Sequence, residues 1–161
     1  RHKKKSRSET ASDLCLCEKI RICMKRWILL AAILSANSAV SAGVESITVY
    51  QNPNCGCCSG WSDYMKSSGF NVTTIKTADV ASHKVRLGVP EKLSSCHTAI
   101  LATSGQIIEG HVPIAAVKKL LAMPEIEGVS APGMPINSPG MGALDGNLVT
   151  VDFKGRKFSR D

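Results

Sequence analysis

Residues 47–58 read ITVYQNPNCGCC, a strand-like run followed by three thiols within four residues. The β-branched and aromatic content of residues 47–51 predicts a strand. A helix is predicted over residues 57–68, because Trp61, Tyr64 and Met65 fall at the spacing of one apolar helical stripe. The stretch therefore predicts a strand that leads through a cysteine turn, Cys55 to Cys58, into a helix.

The cysteine turn allows three interpretations. Thiols at a helix N-terminus are favoured as thiolates, the form that binds soft metals and attacks disulfides. The turn could therefore be a metal site, or a redox pair in which Cys55 attacks and Cys58 is its C-x-x-C partner. The third interpretation is a structural disulfide. A bond between Cys57 and Cys58 is not expected, because adjacent Cα atoms lie about 3.8 Å apart and disulfides usually need at least about 4.4 Å.

The rest of the chain alternates between strand and helix patterns. We predict a strand over 71–76, a helix from the Asp79 cap to Leu87, a hairpin of 98–102 with 106–109, and a helix opened by Pro113. A loop rich in Gly, Pro and Met follows at 128–146, and Val149, Val151 and Phe153 alternate in a last strand. This order predicts a single α/β domain of thioredoxin-like type, with a mixed sheet and flanking helices.

The first 42 residues are set apart from this domain. Lys25 and Arg26 follow Met24, an apolar run extends from Trp27 to Leu34, and small residues end at Ala42. This order predicts a signal peptide over 24–42, with an uncleaved anchor as the alternative. Residues 1–23 are interpreted as an upstream extension, either non-native or disordered. The domain then spans 43–161, in the periplasm and free of the membrane after cleavage.

The positive charge of the chain lies mostly in residues 1–42. The whole sequence has a net charge of +7, and residues 1–42 hold 9 Lys and Arg against 3 Asp and Glu. Residues 43–161 keep 11 basic and 10 acidic residues, so the predicted domain is nearly neutral. The basic balance therefore gives no reason to expect a nucleic acid partner.

Further metal-ligating residue types follow the cysteine turn. Cys96 and His97 stand before the third strand, where a thioredoxin-like protein has its cis-proline loop. His111 lies at the entrance of the last helix, and Met134 and Met141 lie in the Gly/Pro-rich loop. Thiolate, imidazole and thioether together suit Cu(I). The alternatives are a structural Cys-His pair, a helix-capping histidine, and methionines that cover an apolar patch.

These motifs together resemble a known family. Cys-x-Cys-Cys at 55–58 is followed in order by Val89-Pro90, SCHTA at 95–99, EGHVP at 109–113, and PGMP with SPGM between 132 and 141. In order and spacing they are similar to the small exported copper-resistance proteins of the CopG type, long catalogued as a domain of unknown function. The resemblance covers about residues 46–154.

The resemblance implies a periplasmic thioredoxin-like protein that binds Cu(I) in a multinuclear cluster, for copper resistance through buffering, transfer or redox conversion. Carried over by motif, the metal ligands would be Cys55, Cys57, Cys58, Cys96, His97, His111, Met134 and Met141. Periplasmic copper carriers or efflux systems would be its partners. Whether the protein is an enzyme stays open.

A thiol-disulfide oxidoreductase that uses Cys55 and Cys58 is the main alternative function. The missing cis-proline loop argues against it, and so does Cys57, a third thiol that would interfere with two-cysteine cycling. A structural zinc domain ranks third, because adjacent Cys57 and Cys58 chelate a single tetrahedral ion awkwardly.

Overall fold

The computed structural model describes residues 43–161. The predicted extension 1–23 and signal peptide 24–42 lie outside the described residues. Residues 43–161 form one seven-stranded mixed sheet with three α-helices and a short 3-10 helix, Glu91–Leu93. None of the helices in this part of the chain combines the length and apolar character needed to cross a bilayer.

The elements follow each other in the order that the sequence predicts up to the third α-helix. The strands are β1 (Ser46–Gln51), β2 (Asn71–Lys76), β3 (His97–Leu101), β4 (Ile107–Glu109), β5 (Gly128–Ser130), β6 (Val149–Asp152) and β7 (Lys157–Arg160). The α-helices are α1 (Gly56–Ser67), α2 (Val80–Arg86) and α3 (Ile114–Leu121). The prediction of an α/β domain with a mixed sheet is confirmed, and the element order is compatible with a thioredoxin-like arrangement.

The sheet order is β2-β1-β3-β4-β5-β6-β7. Strand β1 pairs in parallel with β2 and antiparallel with β3, and the register of the second pair sets Gln51 opposite His97. Consequently the end of β1, which leads into the cysteine turn, lies beside the start of β3, which follows Cys96. The pairing of these strands thus brings the two cysteine segments to the same end of the sheet.

Helix α1 packs on the sheet through the stripe that the sequence shows. Trp61 and Met65 are fully buried, and the Trp61 indole N–H donates to the Val112 carbonyl at 2.9 Å. Burial of a large apolar side chain contributes roughly 1.5–3 kcal/mol, so this stripe anchors the helix that carries the cysteine turn. The helix ends one residue before its predicted end, and Gly69 follows its C-cap with a positive φ of 93°.

The end of the chain differs from the prediction. The last predicted strand ran through Phe153, but β6 ends at Asp152, whose Oδ1 accepts from the N–H groups of Lys154 and Arg156 at 3.0 and 2.9 Å. This carboxylate closes a hairpin that returns as β7. The short strand β5 lies inside the stretch predicted as loop, and Gly128 allows it because a side chain there would collide with Phe153.

Candidate metal centre

The thiols of the cysteine turn lie at the start of α1. The Asn52 carbonyl accepts from the Cys55 N–H at 3.1 Å and closes the turn from β1. Cys55 is the N-cap of α1, and its side chain makes no capping hydrogen bond. Its sulfur instead forms a disulfide with Cys58, and the free Cys57 sulfur lies 3.5 Å from the Cys55 sulfur. This pairing is the one that the redox interpretation predicts, and it agrees with the expectation that Cys57 and Cys58 do not bridge.

Cys96 approaches the cysteine turn from the loop before β3. The sulfur atoms of four cysteines all lie within 4.8 Å of one another: Cys55, Cys57, Cys58 and Cys96. No peptide bond in residues 43–161 is cis, so this loop indeed lacks the cis-proline of a thioredoxin-like redox protein. The structure therefore places a fourth thiol where such a protein would bind its peptide substrate.

The Cys96 thiol is protonated at neutral pH in the metal-free protein. Burial, and after it the negative charge of a neighbouring Cys57 thiolate, raise its pKa to about 11. A bound metal cation would reverse this balance, because its positive charge stabilises the thiolate. Binding of a metal by Cys96 would therefore release a proton.

Two buried histidines extend the cluster. The Nε2 atom of His111 lies 3.0 Å from the Cys96 sulfur, and its Nδ1 lies 2.7 Å from the Pro139 carbonyl oxygen. The Nδ1 atom of His97 lies 3.5 Å from the same sulfur, while its buried Nε2 has no hydrogen-bond partner among the described residues. Burial lowers the pKa of both imidazoles, so both rings are neutral at pH 7, as metal ligands must be.

Packing holds both imidazole rings in place. The His97 ring centroid lies 4.6 Å from that of Trp61 and 5.1 Å from that of His111. Trp61 is itself fixed by its hydrogen bond to Val112, so the His97 ring packs against a side chain that is held in place. The two imidazoles are therefore oriented by the fold before any ion binds.

The donors form two overlapping groups. The first is the four cysteine sulfurs, and the second consists of Cys58, Cys96, His97 and His111, whose ligand atoms also all lie within 4.8 Å of one another. Cys58 and Cys96 belong to both groups. Six of the eight predicted ligands thus lie together, with more donor atoms than one tetrahedral ion uses.

Met134 and Met141 lie in the segment 133–142, which contacts the cluster. Their side chains are 58% and 39% exposed, so they lie at the surface. Their neighbours make the contacts: the Gly133 carbonyl accepts from the Ser95 hydroxyl, and the Pro139 carbonyl accepts from His111. A ligand role of the two methionines stays a prediction.

A buried ion pair beneath the Cys96 loop was not predicted from the sequence. The fully buried Glu109 accepts from the Ser95 N–H at 2.6 Å and pairs with Lys84 of α2. Burial raises the pKa of Glu109, and the Lys84 ammonium opposes this change. The pair tethers the loop that carries Cys96. The one sign of this ion pair in the sequence is a carboxylate at the end of the apolar strand β4.

Comparison with known proteins places these features in a family. The family described as "Protein of unknown function, DUF411" matches residues 93–141, which include Cys96, both histidines and both methionines. Comparison with curated proteins gave no match.

Two solved structures are similar to the chain along nearly their whole length. "Copper resistance protein copG- Form 1" is 37% identical, with 72% of this chain and 96% of that chain covered and a TM-score of 0.63. "Copper resistance protein copG- Form 2" is 36% identical, with coverage of 73% and 98% and a TM-score of 0.64. The chain thus belongs to the CopG family of copper resistance proteins, as its motifs predicted.

Proposed function

We propose that this protein is an exported copper-resistance protein that binds more than one Cu(I) ion per chain as its cargo. The solved relatives are titled copper resistance proteins, which supports the choice of metal. The observation that carries the proposal is that two donor groups share Cys58 and Cys96. A thiolate that belongs to two groups can bridge two ions.

The chemistry of the donors favours Cu(I) over other ions. Thiolates are soft ligands that select Cu(I), and neutral imidazole also suits copper. A single zinc ion would use four of the six donors and leave two without a metal.

Copper binding by the whole cluster requires the reduced protein. The Cys55–Cys58 disulfide must take up two electrons from a thiol reductant, which breaks the S–S bond and yields two thiolates. In the disulfide form the cluster keeps Cys57, Cys96 and the two histidines. We therefore expect the oxidised protein to hold fewer ions.

The proposal also covers the two methionines near the cluster, the compartment of the protein and its partners. Met134 and Met141 would act as further thioether ligands at its exposed side, since their segment contacts the site. Export to the periplasm is supported by the signal-peptide order of residues 24–42. Copper carriers or efflux systems there would supply or accept the ions.

A thiol-disulfide oxidoreductase is the second candidate function. The Cys55–Cys58 disulfide at the start of α1 favours it, because a C-x-x-C pair at a helix N-terminus is typical of such enzymes. Cys96 and His97 at the position of the peptide-binding loop, with His111 beside them, favour the copper function instead.

Competition between metals tests the proposal. Reduced, metal-free protein is mixed anaerobically with equal excesses of Cu(I) and Zn(II), desalted and analysed for metal, beside protein with the disulfide intact. We expect more than one copper and little zinc per reduced chain, and less copper on the oxidised chain. Preferential retention of zinc, or no bound copper, would contradict the proposal.

A further inference from the structure

The backbone of segment 133–142 rests directly on the first turns of α1. Gly140 has a positive φ of 86°, and a methyl group added there would come within 2.5 Å of the Cys57 carbonyl oxygen and 2.7 Å of the Trp61 nitrogen. Gly60 faces it from the helix, where an added methyl group would lie 3.2 Å from the Gly140 Cα. The close approach of segment and helix therefore needs glycine at position 140, and a methyl group at position 60 would tighten it by a few tenths of an ångström.

The residue before Gly140 determines which nitrogen of His111 carries the proton. The Pro139 carbonyl oxygen can only accept, so the His111 Nδ1 atom, 2.7 Å away, donates to it. A neutral imidazole has one N–H, which leaves the Nε2 atom as a bare lone pair. That atom lies 3.0 Å from the Cys96 sulfur, inside the cluster.

The turn that presents this carbonyl is rigid. Ser138 is fully buried and its N–H donates to the Pro135 carbonyl at 3.2 Å. Its own carbonyl accepts from the N–H groups of Met141 and Gly142 at 3.0 and 2.9 Å. A displacement of Gly140 would therefore move the whole turn, and the Pro139 carbonyl with it.

We propose that Gly140 is a positioning residue for the metal site, an inference that rests on the proposed function. Its missing side chain lets the turn seat on α1, and the seated turn holds the Pro139 carbonyl on His111 so that Nε2 is the metal-binding nitrogen. An outer hydrogen bond of this kind fixes the tautomer and orientation of a metal-ligating histidine. Segment 133–142 thus acts on the cluster through its backbone, independently of the two methionines.

The tautomer itself is measured in the reduced, metal-free wild-type protein. Nitrogen NMR of the imidazole at neutral pH should find the proton of His111 on Nδ1. A proton on Nε2 would overturn the inference. Because this readout needs no copper, it tests the positioning of His111 even if the proposed copper function were to fail.

Two glycine variants distinguish the effect of the steric contact with α1 from the effect of backbone strain at a positive φ. Gly140→Ala is compared with Gly146→Ala, since Gly146 has a similar positive φ of 79° but nothing within 4 Å of an added methyl group. We expect Gly140→Ala to lower Cu(I) affinity about 10–100-fold, the range typical for the loss of an outer-shell partner, and to shift the His111 tautomer. Gly146→Ala should leave both unchanged. Equal effects of the two variants would overturn the inference.

A third variant covers the case in which Gly140→Ala fails to fold. Residue 60 lies inside α1, where alanine favours the helix over glycine, so Gly60→Ala does not weaken the helix itself. Its methyl group should nevertheless push the Gly140 backbone outward and lower Cu(I) affinity, with reduced nitrogen ligation in copper X-ray absorption. Unchanged affinity and ligation in Gly60→Ala would also contradict the positioning role.

Discussion

The Cys96 sulfur lies 3.0 Å from the Nε2 atom of His111, so the loop before β3 and the loop before α3 direct their donors to one point. The register of β1 with β3 brings the cysteine turn to the same point. Three segments far apart in sequence thus build one cluster, and Cys96 belongs to both donor groups within it.

Replacement of Cys96 should separate the copper function from the redox function. Cys96→Ala removes a shared ligand, and its effect should be at least as large as that of losing an outer partner, which lowers metal affinity about 10–100-fold. Anaerobic competition with a chromophoric Cu(I) chelator measures the affinity. A disulfide enzyme that uses Cys55 and Cys58 does not need Cys96, so reduction of insulin disulfides is assayed on the same two preparations.

The copper assay tests the proposed cluster, and the disulfide assay tests the alternative oxidoreductase function. An unchanged copper affinity of Cys96→Ala would exclude the cluster described here. Efficient disulfide reduction by both wild type and variant would favour the oxidoreductase instead.

Loss of the buried ion pair should destabilise the fold. Lys84→Met leaves the fully buried Glu109 without its cation, and removal of one partner from a buried pair typically costs about 3–5 kcal/mol. Urea unfolding at a fixed disulfide state measures this free energy. Lys66→Met is the matched control, because Lys66 pairs with Asp63 on the exposed face of α1 and should change stability little. Equal effects of the two variants would show that Lys84 does not anchor the Cys96 loop.

The mature protein should begin at or near Gly43. The small residues that end at Ala42 suit signal peptidase, and the first strand starts at Ser46, so cleavage there leaves the described fold intact. Mass spectrometry of exported protein checks the new N-terminus. Ala42→Trp should block cleavage at this point, because the site needs a small residue. Exported material that retains residues 1–23 would contradict the prediction.

Local patterns were sufficient to predict most of the fold from the sequence. The apolar stripe of Trp61 and Met65, the Asp79 cap and the β-branched strands gave elements whose bounds agree with the structure within a few residues. Strand β5 escaped prediction because Gly128-Val129-Ser130 has too little strand character by itself, and only pairing with β4 and β6 makes it a strand.

The residues of the candidate site likewise include some that the sequence could predict and some that it could not. Residue type and spacing singled out the four cysteines and the two histidines, because thiols and imidazoles have recognisable chemistry. The Glu109–Lys84 pair and the Pro139 carbonyl depend on contacts between distant segments. A backbone carbonyl, moreover, has no signature in the sequence at all.

The number of Cu(I) ions bound per chain distinguishes a cluster with shared thiolates from a site for a single ion. Reduced protein is titrated anaerobically with Cu(I), and bound copper is counted for wild type and Cys57→Ser. Cys57 is a free thiol next to Cys58 in the chain, and adjacent thiols are better suited to bridge several ions than to chelate one. We predict more than one ion on the wild type and fewer on the variant. A single ion in both proteins would contradict this prediction.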